Sequence, residues 1–194
     1  MIAGVLLAAG HSTRFGGDKL LAPLHGRPVL FWSAAALAAE VDALYVVVPD
    51  GDRARIAALG GMPAVVVEHA EHDAGMGSSI GAGIAALPPS VEAAVIALGD
   101  QPAVVPAVVS RLCERWRVGG ISAVVPSYRD GRGPPVLFGR AAFGALRTLT
   151  GDGGARSVLD MLGDAVATVR VADAAPVDVD TPDALRRLAA VWRR

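Results

Sequence analysis

Residues 7–20 read Leu7-Ala8-Ala9-Gly10-His11-Ser12-Thr13-Arg14-Phe15-Gly16-Gly17-Asp18-Lys19-Leu20, directly after a short apolar run. Glycine lets the backbone take positive φ and come close to a ligand, its N–H groups can cradle phosphate oxygens, and Arg14 and Lys19 supply full charge. That chemistry suits a triphosphate. Leu20 stands where a Walker A loop needs Ser or Thr, and the glycines do not follow Gly-x-Gly-x-x-Gly, so neither of the two common nucleotide loops is present.

Asp100 lies in Leu98-Gly99-Asp100-Gln101-Pro102, at the end of a second apolar run. A carboxylate there would face phosphates held by the first loop. Magnesium needs only one or two carboxylates beside phosphate oxygens and water, although turn formation before a proline accounts for the same residues. Gly75-Met76-Gly77-Ser78-Ser79 opens a helix read over 78–87, whose positive end offers N–H groups and two hydroxyls to a phosphate, ribose or base edge, or simply to its own cap. Within that helix, Gly81-Ala82-Gly83-Ile84-Ala85-Ala86 matches Gly-x-Gly-x-x-Ala. It does not open the helix as a dinucleotide fingerprint would, and is set aside. Glu68-His69-Ala70-Glu71-His72-Asp73 lacks His-Glu-x-x-His spacing and reads as a solvated loop. Cys113 has helical spacing with Val109 and Trp116 and reads as packing, and His25-Gly26 as a turn.

These groups need elements to position them. Near-continuous apolar runs at Val5 to Ala8, Leu44 to Val48, Ala64 to Val67, Ala93 to Leu98 and Ala123 to Val125 imply strands covered on both faces. Helical patterns lie between them. Pro28 and Pro106 suit first turns, Ala155, Val158, Leu159 and Leu162 share a helix face, and Thr181-Pro182-Asp183 supplies an N-cap, a first-turn proline and a favourable acid. The pattern predicts a single α/β domain over 1–194, with a doubly wound, mostly parallel sheet and helices on both faces. Loops at the carboxyl ends of the strands should hold the chemistry. The Gly/Pro-rich stretch Tyr128 to Pro135 is therefore a functional loop rather than a linker.

Composition narrows the partners. The 194 residues are 53% hydrophobic with a formal charge of −1 and charges spread along the chain, a balance that points to no surface for nucleic acid or an acidic membrane and favours a small molecule. One cysteine forms no internal disulfide and no Cys-rich zinc site. The short apolar start after Met1 reads as a buried strand rather than a signal or spanning segment, and a cytoplasmic protein is expected.

Leu7-Ala-Ala-Gly10 with Arg14-Phe-Gly-Gly-Asp-Lys19 resembles the N-terminal signature of MobA-like nucleotidyltransferases, in particular the molybdenum cofactor cytidylyltransferase branch. Gly75 to Ile80, Leu98 to Pro102, Gly133-Pro134-Pro135-Val136-Leu137-Phe138, Gly151 to Arg156 and Asp178-Val179-Asp180-Thr181-Pro182 extend the resemblance along the chain. It implies a Rossmann-like nucleotidyltransferase fold, Mg2+ dependence, and transfer of CMP or GMP from a nucleoside triphosphate with release of pyrophosphate. It implies nucleotide contacts from Leu7, Ala8, Ala9, Gly10, Arg14, Lys19, Gly77, Ser78 and Ser79, and makes Arg14, Lys19 and Asp100 catalytic. Asp100 is its main metal ligand and Asp180 a second, although Asp180 also suits a helix start. Ala8-Ala9, where the guanylyltransferase branch carries Gly-Gly, points to CTP.

The acceptor side falls on Pro135, Gly153 and Arg156. There the resemblance suggests a phosphorylated pterin, molybdopterin or its molybdenum cofactor, with a molybdenum hydroxylase apo-enzyme as a possible partner. An anionic phosphate needs no general base to attack the α-phosphorus, so positioning and charge neutralisation suffice. The alternatives are guanylyl or cytidylyl transfer to another phosphorylated acceptor, a non-catalytic carrier of the cofactor, and an NAD(P)-dependent oxidoreductase.

Overall fold

In the computed structural model, residues 1–10 and 15–192 are described. The chain begins with β1 (Ile2–Leu7), all of whose residues are buried. A small antiparallel hairpin, β2 (Pro23–Leu24) and β3 (Arg27–Pro28), turns at His25-Gly26, both at positive φ. It leads into α1 (Val29–Ala38), followed by β4 (Ala43–Pro49), α2 (Arg53–Ala58) and β5 (Val65–His69). Next come α3 (Met76–Ala85), β6 (Ala93–Leu98) and α4 (Pro106–Arg117), which has its proline in the first turn. The last part holds β7 (Ala123–Tyr128), β8 (Gly131–Arg132), β9 (Val136–Gly139), α5 (Phe143–Arg147), α6 (Arg156–Leu162), β10 (Val166–Arg170) and α7 (Pro182–Val191).

The main sheet has the order β10-β7-β9-β6-β1-β4-β5, with β8 added to β7. β5, β4, β1 and β6 run parallel, as do β7 and β10, while β9 is antiparallel between β6 and β7. The doubly wound, mostly parallel sheet expected from the sequence is therefore present, with a reversed strand that interrupts it. From β1 the chain moves outward to β4 and β5, then returns to place β6 on the other side of β1. That change of direction opens a crevice beyond the carboxyl ends of β1 and β6.

Alternate β1 residues feed two cores. Ile2, Leu6 and Ala8 pack with Leu30 and Leu37 of α1, Ala58 of α2 and Leu112 of α4. Ala3, Val5, Leu7 and Ala9 pack with Ile80 and Ile84 of α3, Leu146 of α5 and Val158 of α6. Each fully buried aliphatic side chain contributes about 1.5–3 kcal/mol, so both layers hold β1 firmly. Gly83 lets α3 lie close on the sheet, since a Cβ there would stand 2.5 Å from Val5 and 3.0 Å from Val47. Among the described residues, no helix is long and apolar enough to cross a membrane.

Candidate active site

β1 and β6 end side by side, and the Gly99 N–H donates to the Leu7 carbonyl at 2.9 Å. A Cβ on Gly99 would stand 2.9 Å from that oxygen, so glycine permits the close approach that brings Asp100 to the mouth of the crevice. Lys19 reaches the same point. Its Nζ donates to Asp100 Oδ2 at 2.6 Å and to Asp180 Oδ1 at 2.7 Å. Burial alone would lower the Lys19 pKa, but the hydrogen bonds and charges of the two aspartates outweigh it and hold the ammonium above its ordinary value.

Asp180 comes from the far end of the chain. The Val179 N–H donates to the Asp100 carbonyl at 2.9 Å, and Gln101 Nε2 donates to Asp178 Oδ1 at 2.8 Å. Val179 is fully buried, so this crossing is anchored in the core. Burial pushes the Asp178 carboxyl up, with the Gln101 hydrogen bond opposing it. Helix capping does not explain Asp180, because the cap of α7 is Thr181, whose Oγ1 accepts from the Ala184 N–H at 3.1 Å.

Arg55, buried to 6% exposure, supports the turn after β1. Its Nη1 donates to the Ala8 carbonyl at 2.7 Å, its Nη2 to the Gly10 carbonyl at 3.1 Å, and its Nε to Asp18 at 2.9 Å, with Asp52 at 3.2 Å. Sequence reasoning missed it. The local signal is only an Asp52-Arg55 pair at the start of a short helix, and nothing in it tells of carbonyls 45 and 47 residues away.

A cleft of about 550 Å³ lies above these groups, walled by Ala9, Gly10, Lys19, Asp100, Met76 and Ser79 among others. Of the nucleotide contacts expected from sequence, Leu7, Ala9, Gly10, Lys19 and Ser79 line it, whereas Ala8, Gly77 and Ser78 do not. Ala8 is fully buried on the α1 side, so of the two alanines only Ala9 lines the cleft. Helix α3 starts at Met76, ahead of the expected Ser78. Consequently the Gly77 N–H donates to the Gly151 carbonyl at 2.8 Å, and Ser78 Oγ donates to the carbonyls of Gly75 at 2.8 Å and Glu71 at 3.1 Å.

The His69-to-Asp73 region also differs from a plain solvated loop. His69 Nε2 and Ser78 Oγ lie 3.1 Å apart, while His72 and Asp73 line the cleft. Arg14, with His11 to Thr13, lies outside the described residues. Cys113 is buried as expected, at 1% exposure, and burial pushes its thiol up.

A second cavity of about 400 Å³ continues from the first, sharing Leu7, Met76 and Leu98. Its walls are mostly apolar, from Ile80, Ile96, Val136 and Phe138, with Arg132, Arg156 and Asp160 as charged members. Of the expected acceptor contacts, Gly153 and Arg156 line it, and Pro134 lines it in place of Pro135, to which it is joined by a cis peptide bond. Tyr128 OH donates to the Pro134 carbonyl at 2.9 Å and holds this loop. The Tyr128 phenol is pushed up to about 12 by burial, with the Asp130 charge adding to it.

The donor chemistry suits a hard divalent cation. Asp100, which lines the cleft, and Asp180 place two carboxylate oxygens on one ammonium, and magnesium or manganese is satisfied by such a pair plus substrate oxygens and water.

Known proteins resemble this chain to different extents. A 2-C-methyl-D-erythritol 4-phosphate cytidylyltransferase from Cereibacter sphaeroides is 39% identical over 114 residues, 56% of this chain, and the match spans about half, 51%, of that relative's length. A probable molybdenum cofactor guanylyltransferase from Thermococcus gammatolerans is 30% identical over 130 residues, 66% of this chain and 63% of that one. Nicotine blue oxidoreductase from Paenarthrobacter nicotinovorans is 32% identical over 196 residues, 96% of each. The crystal structure of Rv0371c from Mycobacterium tuberculosis has a TM-score of 0.86 at 33% identity over 97% of each chain, and its complex with manganese 0.83 at 32% over 98% and 99%. The MobA-like NTP transferase domain matches residues 4–169, most of the sequence, and the chain belongs to that family.

Proposed function

We propose that the protein transfers CMP from CTP to the phosphate of a small acceptor, releasing pyrophosphate, with Mg2+ as cofactor and molybdopterin or its molybdenum cofactor as acceptor. The observation that carries this reading is the meeting of Lys19, Asp100 and Asp180 at the crevice between β1 and β6, beside a second, apolar cavity. One cavity suits a nucleotide and the other a largely flat acceptor, with Asp100 lining the first. A related structure with manganese and a relative named as a molybdenum cofactor guanylyltransferase support metal use and a pterin acceptor.

A divalent ion on Asp100 and Asp180 would neutralise charge on the phosphates. Lys19 then binds the triphosphate and the departing pyrophosphate, and Arg14 is expected to assist. An acceptor phosphate oxygen forms the new bond to the α-phosphorus as the bond to the β-phosphate oxygen breaks. The nucleophile is already anionic, so no protein base is needed. Each cation at ~4 Å is worth about 4 kcal/mol at an effective dielectric near 20, and accelerates the step only as far as the contact strengthens in the transition state. Arg132 and Arg156 suit the anionic end of an acceptor whose apolar face packs on Val136 and Phe138.

The oxidoreductase name of one relative makes NAD(P)H binding the competing reading. Gly81 and Gly83 do not favour it, since their Cβ positions face the Arg147 carbonyl and Val5 rather than open space for a phosphate. Thermal-shift measurement with CTP, GTP, ATP, UTP and NADPH, each with Mg2+, separates these readings. CTP at ~100 times its dissociation constant should stabilise by about 2.7 kcal/mol. A larger GTP shift overturns the base assignment, and an NADPH shift without any nucleoside triphosphate shift overturns the transferase. Release of pyrophosphate with a phosphorylated pterin tests the acceptor.

A further inference from the structure

The four contacts of Arg55 join two places that nucleotide binding needs. Its guanidinium holds the carbonyls of Ala8 and Gly10 at one end of the 10–18 segment and the Asp18 carboxylate at the other. Asp18 Oδ1 in turn accepts the Leu20 N–H at 2.9 Å, fixing the turn that carries Lys19. Arginine suits this role because its planar fork offers five donors in fixed directions.

The direction of the held carbonyls matters more than their number. Ala8 packs on the α1 and α2 side of the sheet, whereas Ala9 packs on the α3 side and lines the cleft. In a planar trans peptide, C=O and N–H point opposite ways. Pinning the Ala8 oxygen toward Arg55 therefore turns the Ala9 N–H away from Arg55, and Ala9 itself lines the cleft, where an N–H attracts an anion and a carbonyl repels it. Gly10 also lines the cleft, and among the described residues a Cβ there would meet nothing within 4 Å, so its Cα is open to a ligand on that side.

We infer that Arg55 is a positioning residue that orients the turn after β1 to receive the phosphates of an anion, an assignment that rests on the nucleotide reading above. It touches the turn and not the substrate. Binding of inorganic triphosphate with Mg2+ is measured by calorimetry for wild type, Arg55→Met, Arg55→Lys and Asp18→Asn, with circular dichroism to verify folding. Hydrogen exchange at the Ala9 and Gly10 amides is followed without ligand. Arg55→Met should weaken binding at least about tenfold and speed exchange, with Arg55→Lys intermediate because one ammonium cannot reproduce the fork.

Asp18→Asn keeps an acceptor for the Leu20 N–H while removing the ion pair, and should weaken binding by a smaller factor. It carries the test if Arg55→Met does not fold. Wild-type affinity and exchange in the folded variant overturn the assignment. If wild type itself binds no triphosphate, the proposed function falls and exchange alone decides: faster Ala9 exchange supports the Arg55 assignment, and unchanged exchange refutes it.

Discussion

Lys19→Met should destabilise the protein without metal and yet tighten its hold on a divalent cation. Lys19 Nζ stands 2.6 Å from Asp100 and 2.7 Å from Asp180, with side-chain exposures of 12%, 19% and 35% in that order. At an effective dielectric near 20 each contact is an attraction of about 6 kcal/mol, most of which desolvation cancels. The Asp100 hydrogen bond then contributes about 1.5–3 kcal/mol net and the more exposed Asp180 contact about 1 kcal/mol or less.

Removing the ammonium should therefore lower stability by roughly 3 kcal/mol, or the melting temperature by about 6–12 °C for a domain of this size. The two carboxylates then meet the metal ion without the Lys19 ammonium between them. If manganese at ~100 times its wild-type dissociation constant stabilises wild type by about 2.7 kcal/mol, a tenfold gain in affinity raises the stabilisation to about 4.1 kcal/mol. Differential scanning calorimetry across a manganese titration reads both effects. A manganese shift smaller in Lys19→Met than in wild type would show that the aspartates do not bind metal in competition with Lys19, and would refute the reasoning.

Three further outcomes follow from contacts described above. Asp100→Asn and Asp180→Asn should each cut metal-dependent pyrophosphate release at least about a hundredfold with the fold intact, and wild-type turnover in either folded variant removes that residue from the metal site. Gly77→Ala places a Cβ 2.8 Å from the Thr150 backbone, so calorimetry should show a loss of about 1–3 kcal/mol and weaker nucleotide binding as the 150–152 segment is pushed back; unchanged stability would deny that packing. Because the folded pKa of Tyr128 is raised from 10.0 to about 12, its contribution to stability is complete below pH 10 and is lost as pH rises from 10 to 12. Tyr128→Phe should remove that alkaline loss, measured by urea unfolding against pH, and an identical pH profile would refute the burial argument.

Local chemistry made part of this site legible. Strand β6 ends at Leu98 as its apolar run does, and α4 and α7 start at the prolines that fit first turns. Asp100 and Lys19 could be singled out because a carboxylate after a buried strand and a cation in a Gly-rich turn each have a local meaning. Strand β9 was not read as a strand, since its four residues, Val136–Gly139, directly follow a Gly/Pro-rich loop, and its antiparallel direction is decided by its partners alone. Strand β10 was missed for a related reason: Val166–Arg170 is only partly buried, so its apolar run is broken by Thr168 and Arg170. The start of α3 was misplaced because serines at 78 and 79 suit a cap, while the contact that fixes the helix end is the Gly77 N–H to Gly151, supplied from 74 residues away. Ser78 as a nucleotide contact inherited that displacement.

The cost of the central charges argues for what they are for. Exposed pairs such as Arg186 with Asp183 and the N-terminal ammonium with Glu92 lie in water, where gain and cost nearly cancel. Lys19, Asp100 and Asp180 are partly withdrawn from water, and apolar side chains of similar volume would hold the adjoining segments at least as well. The surrounding chain nevertheless commits a buried backbone contact at Val179, a buried glutamine and a buried arginine to keeping these three groups in place. Two acids and a cation held at a strand-order switch, beside an open cleft, have little value as a structural clamp. Under the function proposed above, the same three groups would exchange one another's charge for that of a metal and a polyphosphate.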